Sequence, residues 1–240
     1  MSAVVRPRFY LFISFALVAL VFVGFAPTFY LRFVFDRPPL ATVLLHVHGA
    51  VFTIWLGLFI TQVRLVAAHR VDLHRKLGIA SAIFAIVVVV VGVLTVLQTS
   101  VSDHVSPSGL SPAQFSIIPL TSITLFAIFI GLGVALRRRP ALHRRFMTLG
   151  MIASIGPAAA RVVRMFTLND YRNVLIPAIY AAFIAWCLIN DWRKHRTVHP
   201  VYAIGGLVVV ASWPLRIMVG HSDWWHPVAD GVARFARTIF

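Results

Sequence analysis

Glutamate is absent from this chain of 240 residues, and all seven acidic residues are aspartates: Asp36, Asp72, Asp103, Asp170, Asp191, Asp223 and Asp230. Each falls at or beyond the end of an apolar segment, so no carboxylate is expected deep in a membrane. Proton-coupled pumps and transporters usually keep an intramembrane Asp or Glu to hold the proton or cation, and carboxylate-driven coupling is therefore not expected. The single cysteine, Cys187, excludes an intrachain disulfide and reads as a small buried hydrophobe. Gly-rich phosphate loops and a nucleophile elbow are also missing, which removes P-loop chemistry and weakens any Ser-His-Asp hydrolase reading. His69, His74 and His143 could converge on one ion, but no close Cys or Glu completes a strong set, so no metal site is expected.

What the chain has in abundance is apolar surface. Hydrophobic residues make up 60% of it and the mean hydropathy is +0.88, more than a soluble domain of ordinary composition carries. Lipid must be its solvent. The net charge of +15 comes from Lys and Arg that punctuate hydrophobic runs rather than form a stripe. Nucleic acid is accordingly not an expected partner, whereas an anionic lipid bilayer is.

About 20 apolar residues cross a hydrocarbon core as a helix, and seven stretches qualify, at about 9–31, 41–64, 77–97, 117–136, 146–166, 174–191 and 201–219. The expected fold is an all-α membrane protein, a polytopic bundle of about seven transmembrane helices forming a single integral domain over residues 1–240. Pro27, Pro157, Pro177 and Pro214 mark expected kinks, because neighbouring helices can satisfy freed backbone groups. Tyr10, Tyr30, Trp192, Trp213, Trp224 and Trp225 collect near the expected ends as interfacial belts do. The loop from Gln98 to Ser116 reads as a solvated cap, and the segment from Asp223 to the C-terminus as a surface segment. The apolar run after Arg6 and Arg8 outlasts a signal-peptide core and reads as a retained first span.

Lys and Arg concentrate at the N-terminus and in the second, fourth and sixth connections, while the stretch from Gln98 to Ser116 has none. By the positive-inside rule this places the N-terminus in the cytoplasm and the C-terminus in the periplasm of a bacterial inner membrane.

Two of these basic connections share a device. Leu73-His74-Arg75-Lys76 and Leu142-His143-Arg144-Arg145 each lead directly into an apolar segment, and each lies within a helix-loop-helix unit of equal direction, about 41–97 and 117–166. Two similar helical hairpins at the core are the expected frame, one of the repeat geometries of transporters. Small residues such as Gly131, Gly133, Gly150 and Gly156 would permit close helix packing, which a transporter or a structural subunit of a larger complex would equally use.

His74, Arg75, His143 and Arg144 are the first candidate binding residues, expected just before helix starts where free backbone N–H groups favour anions. Phosphate, propionate or a quinone oxygen would suit them; simple anchoring to lipid headgroups is the competing reading. A second layer lies toward the other face. His46 and His48 sit within the second span and Arg161 within the fifth, with Arg164, Arg216 and Tyr180 in reach. A buried Arg needs a partner or a wet cavity, so these residues too are candidates for a small-molecule ligand. Haem b needs two imidazoles facing each other at one depth. His46 and His48, two positions apart, point to different sides of one helix, so a partner would have to come from His104, His221 or His226, or from His74 paired with His143. Haem and quinone stay open as cofactors, and no catalytic residue is assigned.

His48-Gly49, Thr61-Gln62-Val63-Arg64, Leu73-His74-Arg75-Lys76-Leu77-Gly78, His143-Arg144-Arg145-Phe146-Met147 and Arg161 form a set of landmarks over about half the chain. On these residues the chain resembles a widespread bacterial family of multi-pass membrane proteins whose function is uncharacterised. The resemblance implies a shared multi-helix core and makes His48, His74, His143 and Arg161 the preferred site positions. It implies no reaction. Helix number and His-Arg boundaries give a fainter likeness to cytochrome b561-type bundles, although the expected interiors of spans three to six carry no histidine.

Overall fold

The computed structural model describes residues 8–102 and 109–240, and every regular element among them is helical. Helix α1 (Arg8–Phe25) runs into a π-helical turn, Ala26–Tyr30, where the Leu31 N–H reaches the Ala26 carbonyl at 2.8 Å. Pro27 explains the widened turn, because it supplies no N–H to the regular ladder. Helices α2 (Val43–Ala67) and α3 (Val71–Ser100) make the first hairpin. After the short α4 (Pro112–Phe115), α5 (Ile117–Ala135) and α6 (Pro140–Ser154) make the second, and the two hairpins meet along α3 and α5.

Six segments are long and apolar enough to cross a membrane, or seven if α6 and α7 (Gly156–Met165), which meet at a 43° bend, count together as one broken span. The chain is thus an all-α polytopic bundle, and the expected fifth span is broken rather than continuous. Pro157 accounts for the break: without an N–H, and with its ring opposed to the carbonyl one turn back, it ends the helix ahead of it near Ile155. Helices α8 (Arg172–His195) and α9 (Pro200–Gly220) form a third hairpin against α5, α6 and α7. The chain closes with α10 (Trp225–Ala236).

Exposure is reversed relative to a water-soluble protein. Ile79, Ile83, Ile86 and Val90 form an i, i+4, i+7, i+11 stripe on α3 and are all open to the surroundings, a stripe that in water would face a core. Inward, Leu149, Met151, Ile152, Tyr180, Tyr202 and Val209 are sealed among α6, α8 and α9. The multi-pass membrane assignment follows from this arrangement of long apolar helices.

Three expectations change. Helix α3 begins at Val71 and α6 at Pro140, so His74 and His143 lie within their helices, and their N–H groups bond to Arg70 and Arg139 carbonyls at 3.0 Å. Pro at the first helical position explains the early start of α6. The connection between α3 and α5 is more than a solvated cap: Leu110 and Ala113 are buried, and α10 packs on α3 and α4 through Trp225, Ala229 and Ala233. The C-terminal segment therefore covers this end of the bundle with one face while Val228 and Phe235 stay exposed on the other. Residues 103–108, including His104, lie outside the described residues.

Candidate functional site

The two hairpins bring the His-Arg elements together at one end of the bundle. The His74 and His143 rings meet edge to face with centroids 6.1 Å apart. His143 Nδ1 donates to the Gly133 carbonyl at 2.7 Å, since a carbonyl can only accept, and this leaves Nε2 with its lone pair. Gln62 from α2 faces His74. With its amide turned so that donors meet acceptors, its nitrogen lies 2.6 Å from His74 Nδ1 and 3.1 Å from the His74 carbonyl, and its oxygen lies 2.9 Å from the Gly78 nitrogen. His74 Nδ1 then accepts, which places its proton on Nε2. One imidazole offers a proton and the other a lone pair, a donor-acceptor couple held by α2, α3, α5 and α6. Arg75 does not join it and points to the surroundings.

Arg144 turns to the other side of α6, where its guanidinium stacks over Tyr10 at 5.5 Å. It borders a cavity of about 480 Å³ whose walls include Arg8, Arg193, Lys194, His195 and Asp191. The sequence builds this wall locally: Arg193, Lys194 and His195 occupy the last turn of α8, where the helix dipole favours cations. Asp191 is the one acid here, and its charge is already taken. Arg145 donates Nε to one carboxylate oxygen at 3.0 Å and Nη2 to the other at 2.8 Å, with both side chains buried. Its Nη1 donates to the Ala141 carbonyl at 2.8 Å. The remaining cations therefore face the cavity without a carboxylate to neutralise them, and the buried Nε of Arg144 has no acceptor.

At the opposite end the second layer divides. His46 is exposed, and its Nδ1 lies 2.9 Å from the Thr42 carbonyl of its own helix. A two-residue offset turns it away from His48, so His46 leaves the site. His48 is half-buried against Phe52, with ring centroids 4.5 Å apart, and Arg161 is close enough to act on it electrostatically. Arg161 lies over the Phe25 ring at 4.1 Å and donates Nη1 to the Pro157 carbonyl at 3.0 Å. His48 Nδ1 and Arg161 Nε are buried without partners. Arg216 forms a separate centre with Ser122 and Tyr180.

No family model, curated protein or solved structure matches this chain.

Sequence reasoning found His74, His143, Arg144, His48 and Arg161 as site candidates, and the tertiary structure gathers them into two layers at opposite ends. It missed the Arg145–Asp191 pair and the basic rim of α8. A signal existed for the pair: Asp191 follows Cys187-Leu188-Ile189-Asn190 inside an apolar helix, where an acid needs a partner. Among the described residues, no group of three metal-ligating side chains converges.

Proposed function

We propose that this is a multi-pass inner-membrane protein that holds a phosphate group in the basic cavity between the starts of α1 and α6 and the end of α8. One observation carries the reading: Arg8, Arg144, Arg193, Lys194 and His195 line a cavity whose only acid among the described residues, Asp191, is neutralised by Arg145. Concentrated cationic donors in a partly desolvated recess suit phosphate, and Arg supplies the paired N–H geometry that phosphate oxygens accept. The phosphate can belong to a lipid headgroup or to a soluble phosphorylated molecule. The concentration of Lys and Arg at this end supports a cytoplasmic placement, with the N-terminus inside and the C-terminus periplasmic.

Native mass spectrometry of the purified protein, loaded in turn with phosphatidylglycerol, phosphatidylcholine and inorganic phosphate, tests the reading. Phosphatidylglycerol retained over phosphatidylcholine indicates a lipid headgroup, whereas binding of inorganic phosphate that displaces the lipid indicates a soluble source. Arg144→Gln should weaken retention about tenfold or more, the cost of losing a hydrogen bond to a charged group. Equal retention of both lipids together with no phosphate binding would refute it.

A second reading, a haem- or quinone-binding redox subunit, is favoured by the facing His74 and His143 rings: the Nε2 proton of His74 and the Nε2 lone pair of His143 suit the oxygen and hydroxyl of a quinone, while in this tautomer pair only His143 could ligate a haem iron. An optical spectrum of the purified protein tests it directly. A Soret band lost in His143→Ala, or extractable quinone lost in the same variant, would support it; neither signal in wild type would reject it.

A further inference from the structure

The break between α6 and α7 opens the N-terminus of a ten-residue helix inside the bundle. Ile155 and Gly156 at the break are both buried. Counting 1.5 Å per residue, Gly156 lies about 13 Å below the end of α7. The dipole of α7 therefore places partial positive charge at a buried point.

Three further groups converge on this point. Tyr180 from α8 is fully buried, and its hydroxyl presses on Gly156 so closely that a Cβ there would overlap it. That hydroxyl lies beside Arg216, Ser122 and the Gly156 backbone yet is aligned for a hydrogen bond with none of them. Arg216 from α9 is only 2% exposed. Its Nη1 donates to Ser122 Oγ at 2.7 Å and to the Ile118 carbonyl at 3.4 Å, and its Nη2 donates to Ser212 Oγ at 2.8 Å. Every acceptor is neutral, the Nε has none, and no described ion pair includes this guanidinium. Prolines stand in all four helices nearby: Pro177 and Pro214 inside α8 and α9, three residues before Tyr180 and two before Arg216, and Pro157 and Pro119 in the first turns of α7 and α5.

A buried guanidinium without a counter-charge is costly. The half-helix N-terminus and the Tyr180 hydroxyl present donors and positive potential to the same point, while Ser122 donates its own proton to the Ile118 carbonyl at 3.3 Å and holds Arg216 in place by accepting from it; no described ion pair opposes them. Half-helix N-termini in discontinuous spans face anionic groups in membrane transporters for this physical reason. We infer that Arg216, Tyr180, Ser122 and the α7 N-terminus form a binding site for a small inorganic anion of halide size. The close approach of the Tyr180 hydroxyl to Gly156 favours a small ion over a phosphate-bearing ligand. The site is separate from the basic cavity, which lies at the other end of the bundle.

Unfolding midpoints of the purified full-length protein in sodium bromide and in sodium gluconate, at equal ionic strength and pH, test the inference. Bromide should raise the midpoint saturably. Tyr180→Phe removes only an unpartnered hydroxyl and should shift the half-saturating bromide concentration about tenfold upward, the effect of one hydrogen bond to a charged group. Arg216→Met should abolish the response; if that variant does not fold, Tyr180→Phe and Ser122→Ala carry the test. Arg144→Gln should keep the bromide response, because it belongs to the other site. Equal wild-type midpoints in the two salts would overturn the inference. So would a bromide response that survives Tyr180→Phe and Ser122→Ala unchanged, or one lost in Arg144→Gln alone.

Discussion

Substitution of Asp191 by Asn isolates the charge of the pair that closes the basic end. Arg145 and Asp191 are 3% and 2% exposed and meet through two parallel hydrogen bonds, at 2.8 and 3.0 Å. Asn keeps the shape and one acceptor but removes the charge, and it turns an NH2 group toward the guanidinium. Arg145 is then left buried and cationic with only neutral acceptors, the Asn oxygen and the Ala141 carbonyl, and the Tyr202 ring 5.6 Å away. Breaking a buried pair in this way costs about 3–5 kcal/mol. Removing both charges should cost far less, because the desolvation penalty of the ions disappears with them. Arg145→Met combined with Asp191→Leu is expected to recover most of the loss, giving a coupling of roughly 2 kcal/mol or more in a double-mutant cycle. Equilibrium unfolding of wild type, Asp191→Asn, Arg145→Met, Asp191→Leu and the double variant Arg145→Met/Asp191→Leu in mixed micelles, followed by circular dichroism, measures both quantities. If Asp191→Asn costs less than about 1 kcal/mol, the typical limit for a surface pair, the pair is solvated in the membrane-embedded protein and the reasoning fails. Additive single losses would refute it equally.

Other expectations follow from close packing and from the ends of helices. A Cβ at Gly24 would meet the Ala158 carbonyl oxygen at 2.6 Å, and backbone cannot swing aside, so Gly24→Ala should lower stability by about 1–3 kcal/mol in the same unfolding assay. Gly156→Ala should be destabilising because the new methyl overlaps the Tyr180 oxygen; adding Tyr180→Phe leaves the nearest ring carbon at 3.5 Å, an ordinary contact, and should restore most of the loss. His199 caps α9 by accepting the Val201 N–H on Nδ1 at 3.2 Å, a role only the unprotonated ring can fill. Desolvation first, then the nearby Arg145 charge, holds its pKa below the ordinary 6.5. The unfolded chain therefore binds the proton more readily, and the contribution of His199 is full above pH 6.5 and lost as the pH falls through and below it. The stability difference between wild type and His199→Asn, followed from pH 8 to pH 5, should shrink or reverse on acidification; a constant difference would refute the cap reading.

Much of the scaffold was legible because lipid imposes a simple rule. A segment with no water to satisfy its backbone must be helical and about 20 residues long, so hydropathy alone located the apolar segments, although α3 and α6 begin six residues ahead of the expected starts of their spans. The turn-level details depended on single residues. Pro140 moved the start of α6 ahead of His143, and Pro157 divided the fifth span at Ile155. Both prolines were visible in the sequence, but whether a proline bends a span or breaks it is decided by which neighbours accept the freed groups.

Composition and hydropathy by themselves determined the membrane class, the helical hairpins, and the end of the bundle at which the cations gather, because these follow from transfer of each segment out of water. Tertiary packing alone decided which polar groups meet. It set His74 against His143 across two hairpins, spent the charge of Asp191 on Arg145 rather than on Arg144, and turned His46 out while keeping His48 in. It also left Arg216 among neutral partners at the mouth of a broken helix. Pairings of this kind join residues 46 to 98 positions apart, and their energies depend on distance and burial, which no local pattern along the chain encodes.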